Sequence, residues 1–181
     1  MLDRDFYARE ADIVARELLG MLLVRHDTHT LRIGRITETE AYLGPHDKAA
    51  HTSRGLTART RVMFGPPGYA YVYLIYGLHH CMNVVTGQDG QGSAVLLRAL
   101  EPVEGLEGNT RGPGRLCKAM GIDLDLYGHD LCSPGFHLER PPTETPFDIV
   151  ARPRIGVDYA GEWAAKPLRF YIAGSPWVSH K

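Results

Sequence analysis

From Met21 to Pro102 the chain is dominated by short stretches of strand-type sequence, MLLVRH, LRIGRITETEAYL, YAYVYLIYG, CMNVVT and SAVLLRALEP, separated by polar or glycine-bearing segments. A hairpin is expected around the polar turn Asp27 to His29, and YAYVYLIYG and CMNVVT are expected to be two strands joined around Gly77 to His80. In the third stretch Tyr71, Tyr73 and Ile75 share one face, and Val72, Leu74 and Tyr76 share the other. In the second, Glu40 and Tyr42 are two residues apart and point the same way.

Around this sheet the signals are helical or irregular. Asp5 to Gly20 reads as an amphipathic helix, with Ile13, Leu18 and Leu19 at apolar positions and Gly20 as its capping glycine. NTRGPG, from Asn109 to Gly114, leads into a short helix RLCKAM that Gly121 ends. Its entry leaves backbone N–H groups free beside Arg111 and Arg115, a place for a phosphate, although an unliganded capping loop reads the same. Gly44 to Gly68 lacks periodicity and reads as a long surface loop, a kind that in compact domains is usually functional or disordered. Pro141 to Pro153 reads as a surface traverse, and KPLRFYIAGSPWVS as an edge strand or two with Trp177 buried. With 181 residues, 44% of them hydrophobic, and no repeat or linker, the expectation is one α+β domain over residues 1–181.

A formal net charge of −1 argues against a protein that holds polyanions, but the distribution reverses that reading. No acidic residue lies between Asp47 and Asp89, while Lys48, Arg54, Arg59 and Arg61 fall inside that gap, and Arg111, Arg115 and Lys118 form a second basic group. One face can be positive on a neutral molecule; a loop of merely solvated arginines accounts for the pattern equally well. No apolar run has the length of a membrane span, and MLDRDFYAREAD carries charges where a signal peptide needs an apolar stretch, so a cytoplasmic protein is expected. Cys81, Cys117 and Cys132 form no CxxC pair and are read as small buried hydrophobes. His79, His80 and Cys81 are consecutive on a strand and face alternate ways, so no metal site is expected.

Arg98 interrupts the otherwise apolar VLLRALEP, and a buried guanidinium needs an anionic partner, for which Glu40 is a candidate. On the residues alone, a structural ion pair closing the sheet is the better-supported reading.

TETEAYLGPHDKAAH (residues 37 to 51), YVYLIYGLHHCMN (71 to 83), VLLRALEP (95 to 102), GPGRLC (112 to 117) and AGEWAAKPLRFYIAGSPWVS (160 to 179) together resemble the alkyladenine DNA glycosylase family, also called methylpurine or 3-methyladenine DNA glycosylase. The resemblance runs in order from about Leu18 to Ser179. It implies a mostly antiparallel, curved sheet with flanking helices and a protruding β-hairpin. It makes Glu40 the general base and Arg98 the arginine that helps hold the attacking water, with the backbone carbonyl of Ile155 completing the water site. Tyr42, His51 and Tyr73 would enclose the extruded base and Asn83 would discriminate among purines. Tyr76, with Leu78 beside it, would wedge into the duplex, and Arg59, Arg61 and Arg115 would contact the DNA backbone. The chain departs from the family at Leu78, where methionine is common, and at His79 and His80, where aromatic residues are.

The resemblance thus implies a monofunctional DNA glycosylase of base excision repair. Its substrates would be alkylated or deaminated purines of the 3-methyladenine, 7-methylguanine, hypoxanthine and ethenoadenine class, and it would leave an abasic site. The expected partner is damaged double-stranded DNA, engaged by a monomer without metal or organic cofactor. A catalytically silent nucleic-acid-binding module of the same fold is one competing reading, against which the intact Glu40 and Arg98 weigh. An enzyme of free nucleosides is the other, and it leaves the acid-free stretch and Tyr76 without a purpose.

Overall fold

The computed structural model describes residues 1–181, and a twelve-residue strand, β2 (Leu31–Tyr42), is its axis. One edge of β2 pairs antiparallel with β5 (Ser93–Glu104). The other edge is divided: β1 (Leu22–His26) takes Leu31 to Arg35, and β8 (Arg169–Ile172) takes Glu38 to Glu40. The register against β5 slips between Ile36 and Thr39, where β2 changes neighbours. An irregularity of this kind bends a strand and raises its twist, which curls the sheet. The strand order is β3 (Ala70–Ile75), β4 (His79–Thr86), β5, β2, β1, β6 (Phe136–Glu139), and β7 (Ile149–Arg152) pairs with β8. Every pair is antiparallel.

Strand alternation divides the residues between two covered faces. Ala41, Val72, Met82, Val84, Val95 and Leu97 point into the main core, where α1 (Arg4–Tyr7), α2 (Ala11–Glu17) and α3 (Pro113–Met120) contribute Tyr7, Val14 and Leu116. Burying each large aliphatic side chain there stabilises the fold by about 1.5–3 kcal/mol. The opposite face carries Glu40 and Tyr42 from β2, Leu96 and Arg98 from β5, Tyr73 from β3, and Cys81 and Asn83 from β4. Short 3-10 turns at His51–Arg54, Arg61–Phe64 and Asp158–Ala165 lie in the two segments that cover this second face. Coverage on both sides explains why β5 reads as nearly continuous apolar sequence.

Several expectations are corrected. The single helix from Asp5 to Gly20 is two short helices broken at Ala8 to Glu10, where the Tyr7 and Arg9 carbonyls accept from the Gly87 backbone N–H at 3.0 Å. Ile13 is exposed, and Gly20 lies beyond the cap at Leu18, its N–H donating to the Ile36 carbonyl. The stretch Gly44 to Gly68 is irregular, but Asp47, Ala49, Ala50, Thr52, Thr60 and Met63 are buried, so it packs on the sheet rather than running over the surface. The proline-rich traverse contains β7, and β8 lies inside the sheet between β2 and β7 rather than at an edge. Trp177 and Cys132 are half-buried. No helix is long and apolar enough to cross a membrane.

Candidate active site

Glu40 has no solvent exposure, and its carboxylate is held from three directions. The Ile155 backbone N–H donates to Oε1 at 2.8 Å, the Tyr42 hydroxyl donates to Oε2 at 2.8 Å, and Arg98 Nη1 stands 3.2 Å from Oε1. Each contact depends on the fold: alternation puts Tyr42 beside Glu40, the β2–β5 pairing brings Arg98 across, and the segment after β7 delivers Ile155. Arg98 has two further acceptors, Glu38 Oε1 from Nε and Ser179 Oγ from Nη2, both at 3.2 Å. Burial acts against the guanidinium charge, but Glu40 and Glu38 outweigh it and raise the Arg98 pKa.

Above the carboxylate lies a cavity of about 340 Å³, lined by Tyr42, His51, Tyr73, Asn83 and Arg98 and bordered by Ile155, Val157, Tyr159 and Tyr76. Its size lies in the lower part of the roughly 300–1,000 Å³ range of small-molecule sites. The His51 and Tyr73 rings meet edge to face with centroids 4.7 Å apart, and His51 Nδ1 is 2.9 Å from the Tyr71 hydroxyl. Burial, reinforced by the charge of Glu40, holds the Tyr42 pKa well above that of a free phenol, and burial does the same for Tyr73; both remain neutral donors. Asn83 donates from Nδ2 to the Tyr71 carbonyl at 3.1 Å.

His51 is pushed down from 6.5 to about 4, by burial first and then by Arg59 and Arg54, so its imidazole is neutral at physiological pH. Between pH 6.5 and about 4 the unfolded chain binds a proton there that the folded chain refuses. The stability contribution is therefore present above pH 6.5 and lost as the pH falls through that window. Thermal denaturation of His51→Gln across this range should show a shallower acid-side decline in Tm than the parent; an identical slope would contradict the assignment.

Beneath the Tyr42 ring runs a buried ion pair. Arg154 Nη2 is 2.9 Å from Asp47 Oδ1, Nη1 bonds Asp47 Oδ2, and Nη1 also donates to the Ala41 carbonyl at 2.9 Å. Both side chains are fully buried, and Asp47 accepts in addition from the Leu43 and Ala49 backbone N–H groups. The pair staples the segment carrying His51 to the segment carrying Ile155.

At the end of the β3–β4 hairpin, Tyr76, Gly77 and Leu78 turn the chain, with Tyr76 at 88% and Leu78 at 75% exposure. Tyr76 is the one non-glycine residue with positive φ, +52°, a left-handed conformation that costs an L-residue about 1–2 kcal/mol. A large aromatic side chain is thus held out at a position that favours glycine or asparagine.

Of the residues expected from sequence, Glu40, Arg98, Tyr42, His51, Tyr73, Asn83, Ile155 and Tyr76 border this one cavity, while Leu78 shares the exposed tip. Arg59 lies over the Tyr73 ring, Cζ 4.8 Å from its centroid, and joins Lys48 and Arg54 around a second hollow that shares His51 and Tyr159 with the first. Arg61 and Arg115 are exposed and do not line the cavity. Sequence reading missed Glu38, the Asp47–Arg154 pair and Tyr159, whose hydroxyl donates to the Ala49 carbonyl at 3.1 Å. Only Glu38 carried a usable signal, since it lies two residues before Glu40 on the same face.

A buried carboxylate fixed by three donors at the end of an aromatic slot can polarise a water beside a bound planar ring, chemistry that a hydrolase can use. Comparison with known proteins makes the class specific. The chain belongs to the methylpurine-DNA glycosylase family, whose profile matches residues 5–176, and it is a hydrolase of N-glycosyl bonds. A Legionella pneumophila (strain Corby) protein is 58% identical over 178 residues, covering 98% of this chain and 97% of its own. A Myxococcus xanthus (strain DK1622) protein is 60% identical over 181 aligned residues, covering 98% and 93%. Both relatives carry the provisional name 3-methyladenine DNA glycosylase.

Proposed function

We propose that the chain extrudes an alkylated or deaminated purine from duplex DNA and hydrolyses its N-glycosidic bond with a water activated by Glu40. The observation that carries this reading is the placement of Glu40, sealed at the end of an aromatic cavity whose border includes Tyr76 of the exposed hairpin tip. Extrusion costs a few kcal/mol of unpairing and unstacking, and a side chain filling the vacated space offsets part of that. Tyr76 fills it, with Leu78 alongside. The base enters between Tyr42, His51 and Tyr73, where a ring made cationic by alkylation stacks favourably on electron-rich faces, and the Asn83 amide reads its edge.

Arg98 and the Ile155 carbonyl orient the water. As the bond from C1′ to the base breaks, its electron pair leaves with the purine, the water oxygen bonds C1′, and Glu40 takes the proton. The Glu40 charge also stabilises the cationic sugar of the transition state. No lysine lines the cavity to form a Schiff base, so the product is an abasic site in an intact strand.

Two measurements address DNA engagement. Neutralising Arg59 or Arg61 should reduce the salt dependence of duplex binding and spare discrimination between lesions; an unchanged slope in both variants would place the acid-free segment away from DNA. Tyr76→Ala should lose most activity on a paired lesion, less at a mismatch and least in single-stranded DNA, whereas Tyr73→Ala should impair all three. One pattern for both variants would overturn the separate roles.

A further inference from the structure

We propose that Glu38 is a positioning residue for the hydrolytic site: with Ser179 it holds the Arg98 guanidinium so that a single nitrogen, Nη1, faces Glu40. The inference rests on the reading of Glu40 as the base. Glu38 has no solvent exposure and collects four donors. Oε1 accepts from Arg98 Nε at 3.2 Å, from Arg169 Nη1 at 3.0 Å and from Ser179 Oγ at 2.9 Å, and Oε2 accepts from the Ser179 backbone N–H. Each nitrogen of Arg98 therefore has its own partner: Nε on Glu38, Nη2 on Ser179 and Nη1 on Glu40.

An arginine free of such restraint prefers two parallel hydrogen bonds to one carboxylate. Bound that way to Glu40, it would occupy the lone pairs that must take the proton from water, and would weaken the base. Glu38 prevents this by engaging Nε. The other charged or titratable groups around Glu40 are Tyr42 on its own strand, Tyr73 and Cys81 on the β3–β4 hairpin, Arg154 behind Tyr42, and Arg169 opposite on β8. Glu38 is the anion that Arg98 and Arg169 share. Arg169 extends the effect to the water site, because its Nε donates to the Pro153 carbonyl at 3.0 Å, two residues before Ile155.

The test is single-turnover base release from lesion duplex, measured against pH for the parent, Glu38→Gln, Ser179→Ala and Glu40→Gln, with duplex affinity and Tm measured in parallel. In Glu38→Gln the maximal rate should fall about tenfold to a hundredfold, the scale on which partners of functional groups act, with duplex affinity unchanged. Glutamine keeps one acceptor oxygen where Glu38 serves four donors with two, so its hold on Arg98 Nε should loosen and the rate–pH profile should depart from the parent's. Ser179→Ala releases Arg98 Nη2 and keeps the Glu38 charge, so it should alter the profile by less and decides the matter if Glu38→Gln does not fold. Rates that fall only with the folded fraction, on the parent's pH profile, would make Glu38 structural and overturn the inference. Activity retained in Glu40→Gln would sink both the inference and the reading beneath it; an inactive Glu40→Gln with unshifted Glu38 and Ser179 variants would sink the inference alone.

Discussion

Glu40→Gln should slow base release by roughly a thousandfold, within the range expected when a general base and its charge are lost together. That corresponds to about 4 kcal/mol of transition-state stabilisation. The fold should survive. The glutamine oxygen can still accept from the Ile155 N–H and from Arg98, the Tyr42 hydroxyl can turn to accept from the new amide, and Arg98 keeps Glu38 as its counter-ion. Binding to lesion duplex, which needs the aromatic walls and the hairpin but no proton transfer, should remain near the parent value. A variant that releases base within a few-fold of the parent rate would remove Glu40 from the role of base.

The second large effect is on stability. Removing either partner of the Asp47–Arg154 pair leaves a buried charge without its counter-ion, and such losses typically cost about 3–5 kcal/mol. For a chain of this size that is a fall in Tm of about 6 to 20 °C. Arg154→Met should therefore unfold well below the parent, and the remaining folded protein should also release base poorly, because the neighbouring Ile155 N–H loses its hold on Glu40. Asp47→Leu combined with Arg154→Met should recover part of the loss, but not all. Asp47 also accepts from the Leu43 and Ala49 backbone, and leucine leaves those two donors unpaired. Thermal denaturation of the single and double variants measures this directly, and a Tm for Arg154→Met within a degree or two of the parent would show that the pair staples nothing.

What the sequence made legible was what short-range periodicity reports. Alternation placed Glu40 and Tyr42 on one face of β2 and separated Tyr73 from Val72 on β3, and the turn residues marked where consecutive strands join. Resemblance to a known family then singled out residues that the structure gathers around one cavity. Other features were hidden because they depend on register and distant partners. The slip near Thr37 decides which β5 residue faces Glu38 and Glu40, and nothing local in TETEAY announces it. Asp47 and Arg154 are more than a hundred residues apart, so neither looked unusual alone. The Asp5 to Gly20 pattern was helical throughout, but at the break the Tyr7 and Arg9 carbonyls accept from the distant Gly87 N–H, a partner no local pattern reveals. The strand β7 was invisible for the opposite reason: its four residues are exposed or half-buried, so burial left no alternation to read.

The proposed reaction is cleavage of the bond between a damaged purine and its sugar inside duplex DNA, with Glu40 as the base. Its most direct test is to incubate the protein with duplexes each holding one lesion, 3-methyladenine, 7-methylguanine, hypoxanthine or ethenoadenine, and to measure the free base and the state of the strand together. Free base should appear from at least one duplex, in amounts equal to the alkali-labile abasic sites, with the strand uncut until alkali is added and with release by Glu40→Gln slowed roughly a thousandfold. Tight binding to these duplexes without free base from any of them, or strand cleavage that accompanies release, would contradict the account.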